Sequence, residues 1–335
     1  MQEDDLFANA ARQLLRDKCS PQVVRAIEAG GSPQALWQSL EGAGFADALV
    51  TEDAGGAGLK LAQVFSVWML CGAHAMPVPL AETMVARALL AHTGGDQPDG
   101  SITLAEGHLD DGGSLRCANV PMGRVASHVL AQHAHGWSLL SAAQADVQAG
   151  PFVLDTSMRW ATSSCIAIAL PEGMNVRLLQ ASLVAAQLAG ALMSVFQRTL
   201  QHANERQQFG RPIGKFQAIQ HQLAVMSEHV FAARMASQLG CAGNGIWPDR
   251  LRVAVAKARC SQAALAVAEA AHAIHGAVGF TQEHDLQLFT RRLHAWRQTA
   301  GSESYWHSVA GEALLAYAGP TLDALRQASD TEAAF

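Results

Sequence analysis

Residues 178–197 run for twenty positions without a formal charge. As a helix rising 1.5 Å per residue, such a run is about 30 Å long, enough to cross the hydrocarbon core of a bilayer. A helix that is apolar on every side must also be buried on every side. Two arrangements satisfy that: a membrane span, or the central helix of a large bundle. Gln180, Ser182, Gln187, Ser194 and Gln197 interrupt the run, and it continues as a polar helix through Arg198 and His202. Polar groups at that density are expensive in lipid. The sequence therefore predicts a bundle helix over 178–204 and no membrane span.

Other segments agree. Ile219, Leu223, Met226 and Val230 recur at 4-3-4 spacing, a buried helical stripe. Residues 249–275 are rich in alanine, which favours helix and lets neighbouring helices approach closely. Near the N-terminus, 6–17, 61–73 and 82–91 read as helices. Another runs through Leu40, with Ser32 as N-cap and Pro33 in the first turn. From 93 to 173 glycine, aspartate and proline punctuate short apolar runs, and 125–131, 152–154 and 165–170 read as strands. The expected fold is mainly α with a small β domain. Its parts are a helical N-terminal domain over 1–92, a middle β domain over 93–175 and a helical bundle over 176–335.

Composition removes several functions. The 335 residues are 50% hydrophobic and 16% charged, which excludes intrinsic disorder. A net charge of −6, with only 23 Lys plus Arg, argues against a nucleic-acid-binding face. The six cysteines are widely spaced, as expected for free thiols in a reducing cytoplasm. The N-terminus is acidic, unlike a secretory leader, and the expected location is cytoplasmic. His272, His275 and His284 lie close in sequence, but no HExxH accompanies them and no metal is expected. GxGxxG and GxxxxGK[ST] are absent.

The segment most specific to a function is 205–220, ERQQFGRPIGKFQAIQ, between two helical periods. Glycine and proline account for a turn. They do not account for Arg206 and Arg211 flanking an aromatic residue, with glutamines beside them. Arginine together with backbone amides at a helix start suits a pyrophosphate, and Phe209 offers a face for a flat ring.

This segment resembles the signature of the acyl-CoA dehydrogenase family. AIHGAVGFTQEHD at 273–285 is similar to that family's QxxGGxGFTxE stretch. LVTEDAGGAG at 49–58 is similar to its VPExxGGxG loop, and PVPLAET at 77–83 to its PVPLxET turn. The resemblance implies a helical N-terminal domain, a β middle domain, a C-terminal four-helix bundle, bound FAD and a homo- or heterotetramer. It assigns contacts with the FAD of the neighbouring subunit to Arg206, Gln208, Phe209, Phe216 and Gln217, contacts with the FAD phosphates to the backbone at Ile274, His275, Gly276 and Ala277, and further FAD contacts to Gly301 and Ser302. It implies α,β-dehydrogenation of an acyl-CoA thioester, with electrons passed to an electron-transfer flavoprotein or similar acceptor.

The family reaction needs a carboxylate base. Counting forward from Gly276 without gaps puts Ala300 at the usual base position, before Gly301-Ser302. The alternative position in the family falls at Gln180, and no carboxylate lies between Glu172 and Glu205. Glu303 is the nearest candidate base. Ala273 replaces a family glutamine, and the middle region lacks a Trp-Ile-Thr strand. Short, base-poor chains of this kind resemble the subgroup that breaks down steroid-derived CoA thioesters as mixed oligomers. Two readings follow: an FAD-dependent dehydrogenase or subunit of one, and a non-catalytic FAD-binding or structural partner subunit.

Overall fold

The computed structural model describes residues 2–95, 97–161, 166–168, 175–243 and 245–330. Helices α1 (Gln2–Lys18), α2 (Pro21–Glu28), α3 (Gln34–Gly42), α4 (Leu61–Ala73) and α5 (Leu80–His92) come first. Eight strands follow: β1 (Ile102–Glu106), β2 (His108–Leu109), β3 (Leu115–Val120), β4 (His128–His133), β5 (Gly136–Ser141), β6 (Asp146–Ala149), β7 (Thr156–Trp160) and β8 (Ile166–Ile168). Then come α6 (Val176–Glu205), the short strands β9 (Gln207–Gln208) and β10 (Arg211–Pro212), α7 (Gln217–Gly240) and α8 (Arg250–His275). Helices α9 (Leu286–Gln298), α10 (Glu303–Ala316) and α11 (Thr321–Ser329) close the chain.

The chain forms two compact units. One comprises Met1–Val64, Met76–Gln180 and Gly245–Trp247; the other comprises Phe65–Ala75, Ala181–Asn244 and Pro248–Phe335. The first unit holds two four-stranded sheets, ordered β1-β4-β5-β8 and β2-β3-β7-β6. Only the β1–β4 pairing among the described strands is parallel. Alternate side chains of the sheets meet in one apolar core, which includes Leu115, Val129, Leu140, Met158 and Trp160. Trp160 is fully buried and donates its indole N–H to the Ser141 carbonyl at 2.8 Å, so its one polar atom is satisfied.

In the second unit the uncharged run becomes the middle of α6, and 83% of its most apolar window is buried inside the protein. Glycine explains how α4 reaches it so closely. A Cβ on Gly72 would lie 1.8 Å from the Gln187 carbonyl oxygen, and one on Gly190 would lie 1.8 Å from that of Met69. The two helices touch backbone to backbone, through a glycine on each. Ser194 also donates to the Ala73 carbonyl at 2.9 Å.

Three local expectations change. The Ser32–Pro33 cap is displaced: α3 starts at Gln34, and the Ser32 hydroxyl reaches only the Gln34 N–H. The serine cap with proline in the first turn occurs instead at Ser20–Pro21, where Ser20 accepts from Val23 N–H. Residues 152–154 form a turn, and the strand lies just beyond them at β7. The strand expected at 125–131 starts three residues later. Residues 125–126 instead continue a turn closed by N–H bonds to the Met122 carbonyl. The expected strand at 165–170 is present as β8; its other positions lie outside the described residues.

Candidate functional site

The segment after α6 is a miniature hairpin. β9 and β10 pair through Gln208 with Arg211, leaving Phe209 and Gly210 as a two-residue turn. Both turn residues have positive φ, 52° and 78°. That is the geometry a tight hairpin prefers, and glycine adopts it freely. Phenylalanine does not; about 1 kcal/mol or more of backbone strain holds Phe209 there. Its side chain is 90% exposed. A strained, exposed aromatic is a poor structural element and a good ligand platform. The Ile213 N–H closes the hairpin onto the Arg206 carbonyl at 2.8 Å, and the Arg211 guanidinium lies over the Phe216 ring at 4.3 Å.

Arg206 follows the C-terminal end of α6 and is not at a helix start. The helix start in this region is that of α7, which begins at Gln217 with Phe216 as its cap. Arginine and helix start are therefore separate features, joined through the hairpin.

The hairpin and the end of α8 border a half-open cavity of about 690 Å³. Arg206, Gln208, Phe209 and Phe216 line it from one side, and Ile274, His275, Gly276 and Ala277 from the other. Gly276 ends α8 with φ +62°, and a Cβ there would meet open space. Its backbone is thus bare toward the cavity. Gln217, Gly301 and Ser302 are not among the lining residues.

A histidine cluster forms part of the same wall. His202 stacks on His275 at 4.3 Å between ring centroids and 22° between planes. His284 meets His275 edge-on at 5.0 Å. The ligating atoms of the three lie within 4.8 Å of one another. His272 instead stacks on Phe280 and bonds Thr290. Burial pushes His275 down to about 4 and His202 below its usual value.

The second candidate region is the turn between α9 and α10. Ala300 and Gly301 both have positive φ, 59° and 102°. The turn is clamped by Lys257, which has no exposed surface. Its ammonium donates to the Gly301 carbonyl at 2.8 Å, to the Arg297 carbonyl at 3.0 Å and to Ser261 Oγ at 3.0 Å. Burial pushes Lys257 down to about 7, with the Glu303 charge acting the other way. Trp306 donates its indole N–H to the Ala300 carbonyl at 2.9 Å. Glu303 begins α10 and is engaged by the Arg297 guanidinium. Desolvation raises its pKa, but the Arg297 hydrogen bond, its own backbone N–H and the charges of Arg297 and Lys257 together bring it below the usual value. Gln180 is buried and donates to the Leu104 carbonyl at 2.7 Å. Glu283 is exposed.

Sequence reasoning passed over His202, Lys257 and Arg297. His202 precedes Arg206 by one helical turn. Lys257 sits in the buried register of α8, three to four residues from Val253 and Cys260. A lone lysine in such a stripe signals a buried ammonium with assigned acceptors.

The acyl-CoA dehydrogenase C-terminal domain model matches residues 179–315, and the N-terminal domain model matches residues 1–97. The chain belongs to the acyl-CoA dehydrogenase family. It is an oxidoreductase of that type. Among relatives of this acyl-CoA dehydrogenase, IpdE2 of Mycolicibacterium smegmatis is 32% identical over 90% of this chain and 95% of its own. The ChsE4–ChsE5 complex of Mycobacterium tuberculosis shares the fold at TM-score 0.82 and 21% identity, covering 95% of this chain and 99% of that one. A steroid acyl-CoA dehydrogenase, the Tcur3481–Tcur3483 G363A variant, does so at TM-score 0.80 and 24% identity, covering 94% and 98%. The expected mainly α fold with a small β region is thereby established. Members of the family bind FAD, and one solved structure of this fold is an FAD complex.

Proposed function

We propose that this chain is an FAD-holding acyl-CoA dehydrogenase subunit whose general base comes from a partner subunit. The observation that carries the reading is the turn at Ala300. Alanine occupies the family's base position, and the neighbouring carboxylate of Glu303 is paired with Arg297.

The cavity residues suit a dinucleotide. Arg206 offers a charge-assisted bond to a diphosphate, and Gly276 offers bare backbone. Phe209 and Phe216 offer aromatic surface. When bound, FAD supplies the hydride acceptor for α,β-dehydrogenation of a CoA thioester. The chain's own residues would bind and orient it. Removing the α-proton needs an ionised carboxylate aimed at that carbon. Ala300 cannot supply one, and Glu303 is held low in pKa and turned to a guanidinium.

The substrate is a bulky CoA thioester of the steroid-breakdown kind, as the likeness to a steroid acyl-CoA dehydrogenase supports. Electrons pass to an electron-transfer flavoprotein or similar acceptor. The assembly is a mixed tetramer in the cytoplasm. Val225, Phe231 and Met235 on α7 are all exposed, an apolar face that suits a subunit contact.

Co-purification from the native host, with the partner identified and flavin counted per chain, tests this. The expected result is dehydrogenation by the complex and none by the chain alone. Full activity of the isolated chain would refute it.

A further inference from the structure

Arg206 is the only side chain with a permanent charge among the described cavity-lining residues. A dinucleotide's diphosphate carries about two negative charges, so one is left uncompensated on a wall otherwise polar through histidine and Gln208. Three imidazoles stand there, and their hydrogen bonds say which can respond. His275 Nδ1 lies 2.8 Å from the Ala271 carbonyl. A carbonyl only accepts, so Nδ1 carries the proton and Nε2 carries the lone pair. His284 Nδ1 accepts the Leu286 N–H at 3.2 Å, so its neutral form holds the proton on Nε2. A second proton on His284 would break that bond. His202 lies flat against His275. Two imidazolium rings at that separation repel, so the pair takes up one charge, on one ring.

We infer that a diphosphate entering this cavity is bound together with one proton taken from solvent and carried by one ring of the stacked His202–His275 pair. The inference rests on the dinucleotide reading given above. The proton moves from water to an imidazole nitrogen lone pair, and no other bond changes. Without an anion the pair is neutral: burial disfavours its charge, and Arg206, His272 and His284 oppose it. Glu205 is the one acidic group acting on His202, and Asp285 is engaged with Arg198 at 3.2 Å. Neither acid neutralises the His275 ring, so the arriving diphosphate must. The His284 tautomer argues against a three-histidine metal site: its Nδ1 accepts from the backbone and its Nε2 carries the proton, so neither nitrogen offers a free lone pair.

The test is calorimetric titration of flavin-free protein with ADP and with FAD, in buffers of differing ionisation enthalpy near neutral pH. The expected result is uptake of about one proton per ligand. In the parent protein, affinity should fall by up to about tenfold per pH unit on raising pH from 6 to 8. The double variant H202F/H275Q should bind through Arg206 and the backbone with no uptake. Binding by the parent without proton exchange, and without pH dependence, overturns this inference alone. So does full uptake in the double variant. Absence of binding by either ligand overturns the dinucleotide reading as well. Tight zinc binding that displaces protons from the parent would contradict the tautomer assignment and overturn the inference.

Discussion

The hairpin after α6 and the turn before α10 are both strained, and they are strained for opposite ends. At the hairpin, Phe209 holds a positive φ with a side chain 90% exposed. Its one ring contact among the described residues is edge-on with Phe216, at 6.0 Å between centroids. At the turn, Ala300 holds a positive φ inside a bonded frame: Trp306 donates to its carbonyl, and Lys257 donates to the carbonyls of Gly301 and Arg297. Here the packing survives and the reactive side chain is gone. The hairpin presents an exposed ring and the turn presents only a methyl group. On the proposed function, the chain keeps the side chains for cofactor recognition and the scaffold of the base position, and lacks the proton-abstracting group.

The largest expected effect restores the lost half. Ala300→Glu, on a backbone already held at φ 59°, should raise dehydrogenation of a CoA thioester by about 10²–10⁴-fold over the parent chain, the usual contribution of a positioned base. A stopped-flow assay of flavin reduction measures it; no gain would mean the turn does not aim at substrate. Next, Arg206→Ala removes a charge-assisted bond of about 1.5–3 kcal/mol, so FAD affinity should fall about 10–150-fold. Helix content by circular dichroism should stay unchanged, because Arg206 is exposed.

The turn should fail differently. Lys257→Met leaves the Gly301 carbonyl without its buried donor and should lower unfolding free energy by about 1–3 kcal/mol. Denaturant titration checks that, and an unchanged midpoint would show that the clamp is dispensable.

The smallest effect belongs to Glu303. Its pKa is depressed in the folded state from a usual 4.5. Its pair with Arg297 therefore stabilises the fold above about pH 4.5 and is lost as pH falls through the folded value. Glu303→Gln should cost about 1 kcal/mol or less near neutral pH and should flatten the acid limb of a stability–pH profile. It should not change turnover by the assembled complex.

Much of this was legible in the residues. The uncharged run 178–197 forced a buried helix, and α6 is that helix. The 205–220 signature placed Arg206, Gln208, Phe209 and Phe216 together, and they do line one cavity. Periodicity could not reveal that His202 reaches His275, because those two positions are 73 residues apart and meet only through tertiary packing. Nor could it place Gln217, Gly301 and Ser302, which a motif lists beside the others but the fold keeps off the cavity wall. The serine caps show the local limit: Ser20–Pro21 and Ser32–Pro33 look alike, and only the first hydroxyl reaches the amide three residues on.

The central claim is cofactor recognition without an internal base. It is tested most directly by anaerobic mixing of the purified, flavin-loaded chain with a bulky CoA thioester while the flavin absorbance is followed. The account predicts bound flavin whose oxidised band persists with the chain alone and bleaches once the partner subunit is added. Prompt bleaching by the chain alone, abolished by Glu303→Gln, would contradict it.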